Sequence, residues 1–212
     1  MVLIYLSTGR YKTQLTLAPM DEAANGGLNI RHFIIPEITN RWPQPSFLEL
    51  LSNGDILAAF FGFKNIFQFG MNPVGQFQML AKHSVTDELK GISVGRVRGS
   101  DGVYANFKDG TMKIYLIMKN KFLEFARYNF KTYLWNILFE PNRNILFFEL
   151  GNFKENKRII YAGFWRGADL KYQNISLPCE GNMNIWCWSW MKNNKIVLYD
   201  SKSQILKLLE LN

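Results

Sequence analysis

Apolar residues in this chain form short runs rich in Val, Ile, Phe, Tyr and Trp, and clusters of Asn, Gly, Asp and Lys interrupt them. Runs of this length, bounded by turn-forming residues, are typical of β-strands joined by tight turns. Helical periodicity is scarce, and its best candidate is the short stretch 86–90. The pattern therefore predicts an all-β fold.

The turn-forming clusters recur at a nearly regular spacing. Gly and Asn tolerate the positive φ that two-residue hairpin turns need, so their recurrence has a mechanical cause. Each cluster follows one apolar run and precedes a second, and most units add a third or fourth run. The five clusters are Ser7-Thr8-Gly9, Ser52-Asn53-Gly54, Ser100-Asp101-Gly102, Asn142-Arg143-Asn144 and Lys192-Asn193-Asn194.

A unit of roughly 40 to 50 residues with up to four antiparallel strands is typical of a β-propeller blade. The predicted fold class is all-β, a five-bladed β-propeller-like repeat of short antiparallel sheets. A β-sandwich or an irregular barrel is the alternative, although neither explains the recurrence. We expect a single β-propeller-like domain over 1–212, with units at approximately 1–45, 46–91, 92–132, 133–183 and 184–212.

Composition narrows the class of protein further. With 48% apolar residues among 212, the chain can bury a real core, which excludes a disordered protein. Its apolar N-terminal run is too short for a signal peptide, and no run approaches the roughly 18 apolar residues of a membrane span. We therefore expect a soluble, intracellular protein that does not bind membranes. Two cysteines, Cys179 and Cys187, leave disulfide pairing open.

Recognisable catalytic patterns are scarce. The two histidines, His32 and His83, are the only imidazoles that could serve as a base, and His32 lies in an alternating strand pattern. No linear phosphate-loop, zinc-site or nucleophile-elbow motif occurs. Acidic residues such as Asp55 and Glu149 lie on or beside the predicted inner strands, but most of these acids are at turns, where Asp bonds local backbone. We therefore predict no catalytic residues, metal or cofactor, and a protein that is not an enzyme.

Short connections and a repeated strand unit favour a non-enzymatic scaffold that binds a partner protein. Binding would use the faces of the propeller or an exposed edge strand, where an unpaired row of backbone groups can accept another strand. The predicted edge residues are Ile205, Leu206, Leu208 and Leu209. Oligomeric state is left open.

The formal charge of +8 and the interleaved aromatic and basic residues support an alternative, a nucleic-acid-binding subunit. Cations beside rings suit phosphate contacts and base stacking in single-stranded nucleic acids. A second alternative is a small carbohydrate-binding, lectin-like propeller that uses Trp186, Trp188 and Trp190 as platforms. The candidate residues for binding a partner or a nucleic acid are Arg41, Trp42, Arg96, Arg98, Arg127, Lys131, Trp165 and Arg166.

Overall fold

The computed structural model describes residues 2–8, 13–19, 31–34, 46–118, 121–140, 145–152, 157–166, 169–175, 185–191, 195–200 and 204–210. Side chains are described for most positions from 47 to 139 and for fewer beyond. Within these ranges the chain forms eighteen β-strands and no helix. None of the described residues belongs to a helix long and apolar enough to cross a membrane.

Two compact units divide the chain, at residues 1–89 and 90–212. The first unit contains two antiparallel sheets, and in each one consecutive strands are neighbours. Sheet 1 consists of β1 (Val2–Thr8), β2 (Thr13–Pro19) and β3 (Arg31–Ile34), and sheet 2 of β4 (Ser46–Leu50), β5 (Ile56–Phe60), β6 (Asn65–Met71) and β7 (Phe77–Ser84).

The second unit contains three further sheets of consecutive strands. Sheet 3 comprises β8 (Leu89–Val97), β9 (Ser100–Phe107), β10 (Thr111–Met118) and β11 (Lys121–Asn129). Sheet 4 comprises β12 (Tyr133–Glu140), β13 (Ile145–Asn152), β14 (Lys157–Arg166) and β15 (Asp169–Ile175). Sheet 5 comprises β16 (Ile185–Met191), β17 (Lys195–Asp200) and β18 (Ile205–Glu210). A succession of small antiparallel sheets confirms the all-β, propeller-like fold predicted from the sequence.

Turn chemistry agrees with the prediction in one described unit and differs in another. Gly54 has a φ of +86° in the turn between β4 and β5, where the sequence places a hairpin. In sheet 3 the turn is instead formed by Arg98 and Gly99, with φ values of +50° and +82°. Positive φ at both central residues defines a type I′ turn. The prediction that Ser100-Asp101-Gly102 forms the turn is therefore wrong, because β9 already begins at Ser100. Gly99 and Gly102 both suit a turn, and the chain reverses at the first.

The remaining turn clusters give less information. Gly9 and the clusters at 142–144 and 192–194 lie outside the described residues. The stretch 86–90, named above as the best helix candidate, is a bend that leads into β8, so that interpretation is also wrong. Five consecutive residues are too short to hold a helix without tertiary packing.

The two central strands of sheet 2, β5 and β6, are buried on both faces, but with different side chains. One face carries an apolar cluster of Ile56, Ala58, Phe60, Phe67 and Phe69. Successive residues of a strand point to opposite faces, so the next positions along β5 and β6 form the other face. That second face is also buried, and a glutamine lies among its apolar residues.

Sheets 3 and 4 share one apolar core. Its buried members come from both sheets: Val97, Tyr104, Met112 and Ile114 from sheet 3, and Leu134, Phe139, Leu146, Phe148 and Leu170 from sheet 4. The ring centroids of Tyr104 and Phe139 are 5.5 Å apart in a stacked arrangement. Gly95 leaves room for this contact, because a Cβ atom there would overlap the Phe139 ring. Two sheets that pack face to face bury the side chains of their facing surfaces in this way.

Candidate functional site

A line of hydrogen-bonded polar side chains crosses the second face of sheet 2. Gln68 on β6 donates from Nε2 to Oδ2 of Asp55 at 2.7 Å, and its Oε1 lies 3.0 Å from Nε2 of His83 on β7. Asn53 donates to the same carboxylate oxygen at 2.9 Å. The three central residues are buried, with 8%, 1% and 7% of their surfaces exposed for Asp55, Gln68 and His83. We call these three residues the polar relay.

Strand register explains why the relay forms. Leu57 pairs with Gln68, and Ile66 pairs with His83, so these positions share one face of the sheet. Asp55 precedes β5 and reaches the same face because Gly70 has no side chain. A Cβ atom at Gly70 would overlap the Asp55 carboxylate. Residues 13 and 15 positions apart in the sequence are thereby brought into direct contact.

The chemistry of the relay fixes the tautomer of His83. A carboxylate only accepts hydrogen bonds, so the amide of Gln68 must turn its NH₂ group toward Asp55 and its oxygen toward His83. Nε2 of His83 therefore carries a proton and donates a hydrogen bond to Oε1 of Gln68. Burial lowers the pKa of His83 to about 4, so the imidazole is neutral at pH 7. The polar groups satisfy one another within the sheet, which suits a structural role better than a reactive one.

A second polar group lies at the β8–β9 hairpin of sheet 3. Nη1 of Arg96 donates to the carbonyl oxygen of Gly99 at 3.2 Å and lies 3.4 Å from Oδ1 of Asp101. Arg98, in the turn itself, places its Cζ atom 5.2 Å from the centre of the Phe125 ring. Both arginines are exposed. The hairpin therefore holds two guanidinium groups beside one turn.

A third group links β10 to β11. Arg127 donates to both carboxylate oxygens of Glu124, at 2.9 Å and 3.2 Å. The buried ammonium of Lys113 lies 3.8 Å from the same carboxylate and 5.3 Å from the centre of the Phe107 ring. Arg127 already donates two hydrogen bonds to Glu124. Its guanidinium is therefore less available to an anionic ligand than the guanidinium of an arginine that has no acidic partner.

The structure brings together some of the candidate residues predicted from the sequence. Arg96 and Arg98 share one hairpin, and Lys131 lies in the turn between β11 and β12. Trp165 and Arg166 end β14, but their side chains lie outside the described residues, as do those of Trp186, Trp188 and Trp190. Arg41 and Trp42 lie outside them entirely. A role for these residues in binding a partner or a nucleic acid stays a prediction.

The predicted edge residues lie on β18, which pairs with β17 and forms one edge of sheet 5. Ile205, Leu206 and Leu208 are 52%, 68% and 54% exposed, and the side chain of Leu209 lies outside the described residues. Strand pairing at this edge also stays a prediction.

Sequence reasoning missed the polar relay as a unit. Asp55 and His83 are candidates by residue type, whereas Gln68 is not, although a glutamine inside an apolar strand is a usable signal of a buried hydrogen bond. Among the residues that the structure describes, no group of His, Cys, Asp or Glu side chains could hold a metal ion.

Comparison with known proteins identifies the fold and no family. No family model matches the chain, and no curated protein matches it. Similar solved structures include a protein from Bacteroides uniformis described as a "putative 6-phosphogluconolactonase" (14% identity, TM-score 0.61, covering 98% of this chain and 66% of that one). A protein from Bacteroides fragilis with the same description is 13% identical, with a TM-score of 0.61 and coverages of 98% and 65%.

A third similar structure, from Lactobacillus plantarum, is 8% identical, with a TM-score of 0.64 and coverages of 99% and 67%. The chain therefore spans about two thirds of the length of the structures that it resembles. These likenesses, together with the succession of small antiparallel sheets, place the chain in the β-propeller class of folds.

The same comparison corrects the functional interpretation of the sequence. The sequence predicts a non-enzymatic scaffold that binds a partner protein, with nucleic-acid-binding and lectin-like proteins as alternatives, and it predicts no enzyme. Two of the similar folds bear the name of a hydrolase, which overturns that interpretation. The error was to treat short connections and missing linear motifs as evidence against catalysis. Residues from separate strands can build a site without leaving any motif in the sequence.

Proposed function

We propose that this chain is a hydrolase that opens a phosphorylated sugar lactone. The observation that carries the proposal is the likeness, over 98% of the chain, to two folds that each carry the description "putative 6-phosphogluconolactonase". At 13% and 14% identity the likeness concerns the fold, and the activity is our inference from it.

The chemistry of such a substrate sets two requirements. Water must add to the ester carbonyl, and the bond from that carbon to the ring oxygen must break, which leaves a carboxylate and a hydroxyl group. The phosphoryl group carries about −1.5 to −2 charges at neutral pH and needs cationic or backbone N–H donors. Arginine suits this need because its planar fork matches a phosphate in geometry as well as charge.

The charges of the chain fit an anionic substrate. The formal net charge is +8, so the average field of the protein attracts anions and raises their local concentration. Exposed guanidinium groups at the β8–β9 hairpin supply donors of the required kind.

The proposal is tested by following acid release from 6-phosphogluconolactone in a pH-stat at pH 7. Lactones also open spontaneously, so the rate in buffer is subtracted, and heat-unfolded protein at the same concentration serves as the matched control. We expect the native protein to accelerate opening in proportion to its concentration, with saturation as substrate rises. A rate equal to that of the unfolded control would refute the proposal.

A further inference from the structure

The backbone of Arg98 adopts a conformation that arginine rarely takes. Its φ is +50°, at the first central position of the type I′ turn between β8 and β9. The left-handed region brings the Cβ atom close to the following carbonyl oxygen. Gly has no Cβ atom, and the short polar side chains of Asn and Asp can offset the cost with local hydrogen bonds, so these three residues are preferred there. Arginine at this position costs stability. Strained residues of this sort are concentrated at ligand sites.

Packing holds the side chain of Arg98 without using its hydrogen-bond donors. Its guanidinium lies over the ring of Phe125, with 5.2 Å between Cζ and the ring centre, and Phe125 packs against the core shared by sheets 3 and 4. Within the described part of the chain Arg98 makes no hydrogen bond and no ion pair. A guanidinium that lies on a ring keeps its N–H groups at its edge, where they can reach an anion.

A second guanidinium approaches the same turn. Arg96 bonds the carbonyl oxygen of Gly99 and faces the carboxylate of Asp101, and half of its side chain is exposed. Two guanidinium groups therefore lie beside one turn, and the carboxylate of Asp101 faces one of them.

Lys131 provides a contrast within the same unit. It also has a positive φ, +53°, and an exposed cationic side chain. Its backbone N–H donates to Oδ1 of Asn129 at 2.9 Å, the local bond of an ordinary Asx turn. A local hydrogen bond thus accounts for the conformation of Lys131.

We propose that the β8–β9 hairpin binds a phosphoryl oxyanion, with Arg98 as the main ligand and Arg96 as the second. The inference rests on the proposed function and deepens it, because it names the residues that would hold the phosphoryl group of the substrate. Two N–H groups of Arg98 would donate to two phosphate oxygens in a fork. The ring of Phe125 and the rigid turn would hold that fork in place before the ligand arrives.

Isothermal titration with inorganic phosphate and with 6-phosphogluconate tests the site directly, using the full chain and the variants Arg98→Asn and Lys108→Asn. Asparagine tolerates positive φ, so the first substitution relieves the turn while it removes one charge. The second removes one charge from an exposed position in the turn between β9 and β10. We expect Arg98→Asn to bind both probes about tenfold more weakly, as the loss of a charge-assisted hydrogen bond predicts. Lys108→Asn should bind them as tightly as the wild type.

Thermal unfolding of the same variants separates binding from stability. We expect Arg98→Asn to melt at the same temperature as the wild type or a few degrees higher, about 2–4 °C. A role confined to holding the hairpin predicts the reverse, a lower melting temperature with unchanged phosphate affinity, and that result would overturn the proposal. Equal losses of affinity in the two variants would also overturn it, because they would indicate attraction by net charge alone.

The experiment distinguishes this site from the activity itself, because binding is measured without turnover. Phosphate binding that depends on Arg98, in a protein without lactonase activity, would support the site and refute the proposed function. Lactone opening with the same KM in the wild type and in Arg98→Asn would support the function and refute the site.

Discussion

Sheet 2 and the pair formed by sheets 3 and 4 use buried polar side chains in opposite ways. In sheet 2 the polar relay joins side chains of one sheet to one another, from Asp55 through Gln68 to His83. In sheets 3 and 4, polar side chains of one sheet bond the backbone of the other. Asn106 donates to the Leu134 carbonyl oxygen at 3.2 Å, and Ser93 accepts from the Phe139 N–H at 3.1 Å.

The two arrangements depend on different aspects of the fold. The relay is satisfied only when β6 and β7 keep their register, since a slip of one residue would turn Gln68 or His83 to the other face. The bonds between sheets 3 and 4 are satisfied only when the two sheets are docked. The buried hydrogen bonds of the relay therefore favour the correct strand register within sheet 2. Those of the second unit favour the correct docking of sheet 3 on sheet 4. Four substitutions or conditions test this difference.

The largest effect is expected from Phe139→Ala in the core shared by sheets 3 and 4. Phe139 is buried and stacks on Tyr104, so truncation leaves a cavity and removes an aromatic contact. We expect the free energy of unfolding to fall by about 4 kcal/mol, measured by urea denaturation. Leu123→Ala is the control, because Leu123 is largely exposed and should change stability by less than about 0.5 kcal/mol. Similar losses in both variants would contradict a shared core.

Acid should weaken the first unit through His83. Its pKa is about 4 in the folded chain and 6.5 when unfolded, so the unfolded state binds more protons between these values. The free energy of unfolding is therefore highest above pH 6.5 and decreases as the pH falls. At pH 4 the decrease is about 3 kcal/mol. Urea denaturation of the wild type and His83→Gln across this range isolates the contribution. Parallel pH profiles for the two proteins would show that His83 is not responsible.

Breaking the relay at its centre should cost about 2 kcal/mol. Gln68→Met keeps the volume of the side chain but removes both amide groups, which leaves the Nε2 proton of His83 without its acceptor and Asp55 with one donor fewer. The exposed Gln78→Met on β7 is the matched control and should be nearly neutral. Amide hydrogen exchange in β6 and β7 should quicken in the first variant only. Unchanged exchange there would show that the relay does not fix strand register.

The smallest effect is expected from Ser93→Ala. The substitution removes one acceptor and leaves the buried N–H of Phe139 unbonded, at a cost of about 1 kcal/mol. Ser100→Ala, at an exposed position of the same sheet, is the control. A loss as large as that of Phe139→Ala would mean that hydrogen bonds, and not apolar packing, dominate the contact between sheets 3 and 4.

The strands were predictable because their physical cause is local. Short apolar runs with turn residues between them identify strands such as β5 and β10 without any knowledge of their neighbours. The third hairpin was misplaced because Gly99 and Gly102 both satisfy the local requirement, and only the pairing of β8 with β9 decides between them. Type I′ turns also prefer Asn, Asp or Gly at the first central position, so the sequence does not predict a turn at Arg98.

The polar relay and the pair of arginines at the β8–β9 hairpin were harder to predict from the sequence, for a different reason. Asp55, Gln68 and His83 are separated in sequence, and the register of three strands brings them together. Arg96 and Arg98 were recognised as basic residues, but not as neighbours of one strained turn. No linear motif in this chain corresponds to the hydrolase name that two similar folds carry, so the sequence alone does not point to that likeness.

The central claim, hydrolysis of a phosphorylated lactone, is tested most directly by measuring kcat/KM for 6-phosphogluconolactone and for gluconolactone without the phosphoryl group. Two charge-assisted bonds to phosphate should favour the phosphorylated substrate by at least about tenfold. We predict saturable opening of the phosphorylated lactone with that preference. Opening of neither lactone above its spontaneous rate, or equal kcat/KM for both, would contradict the account.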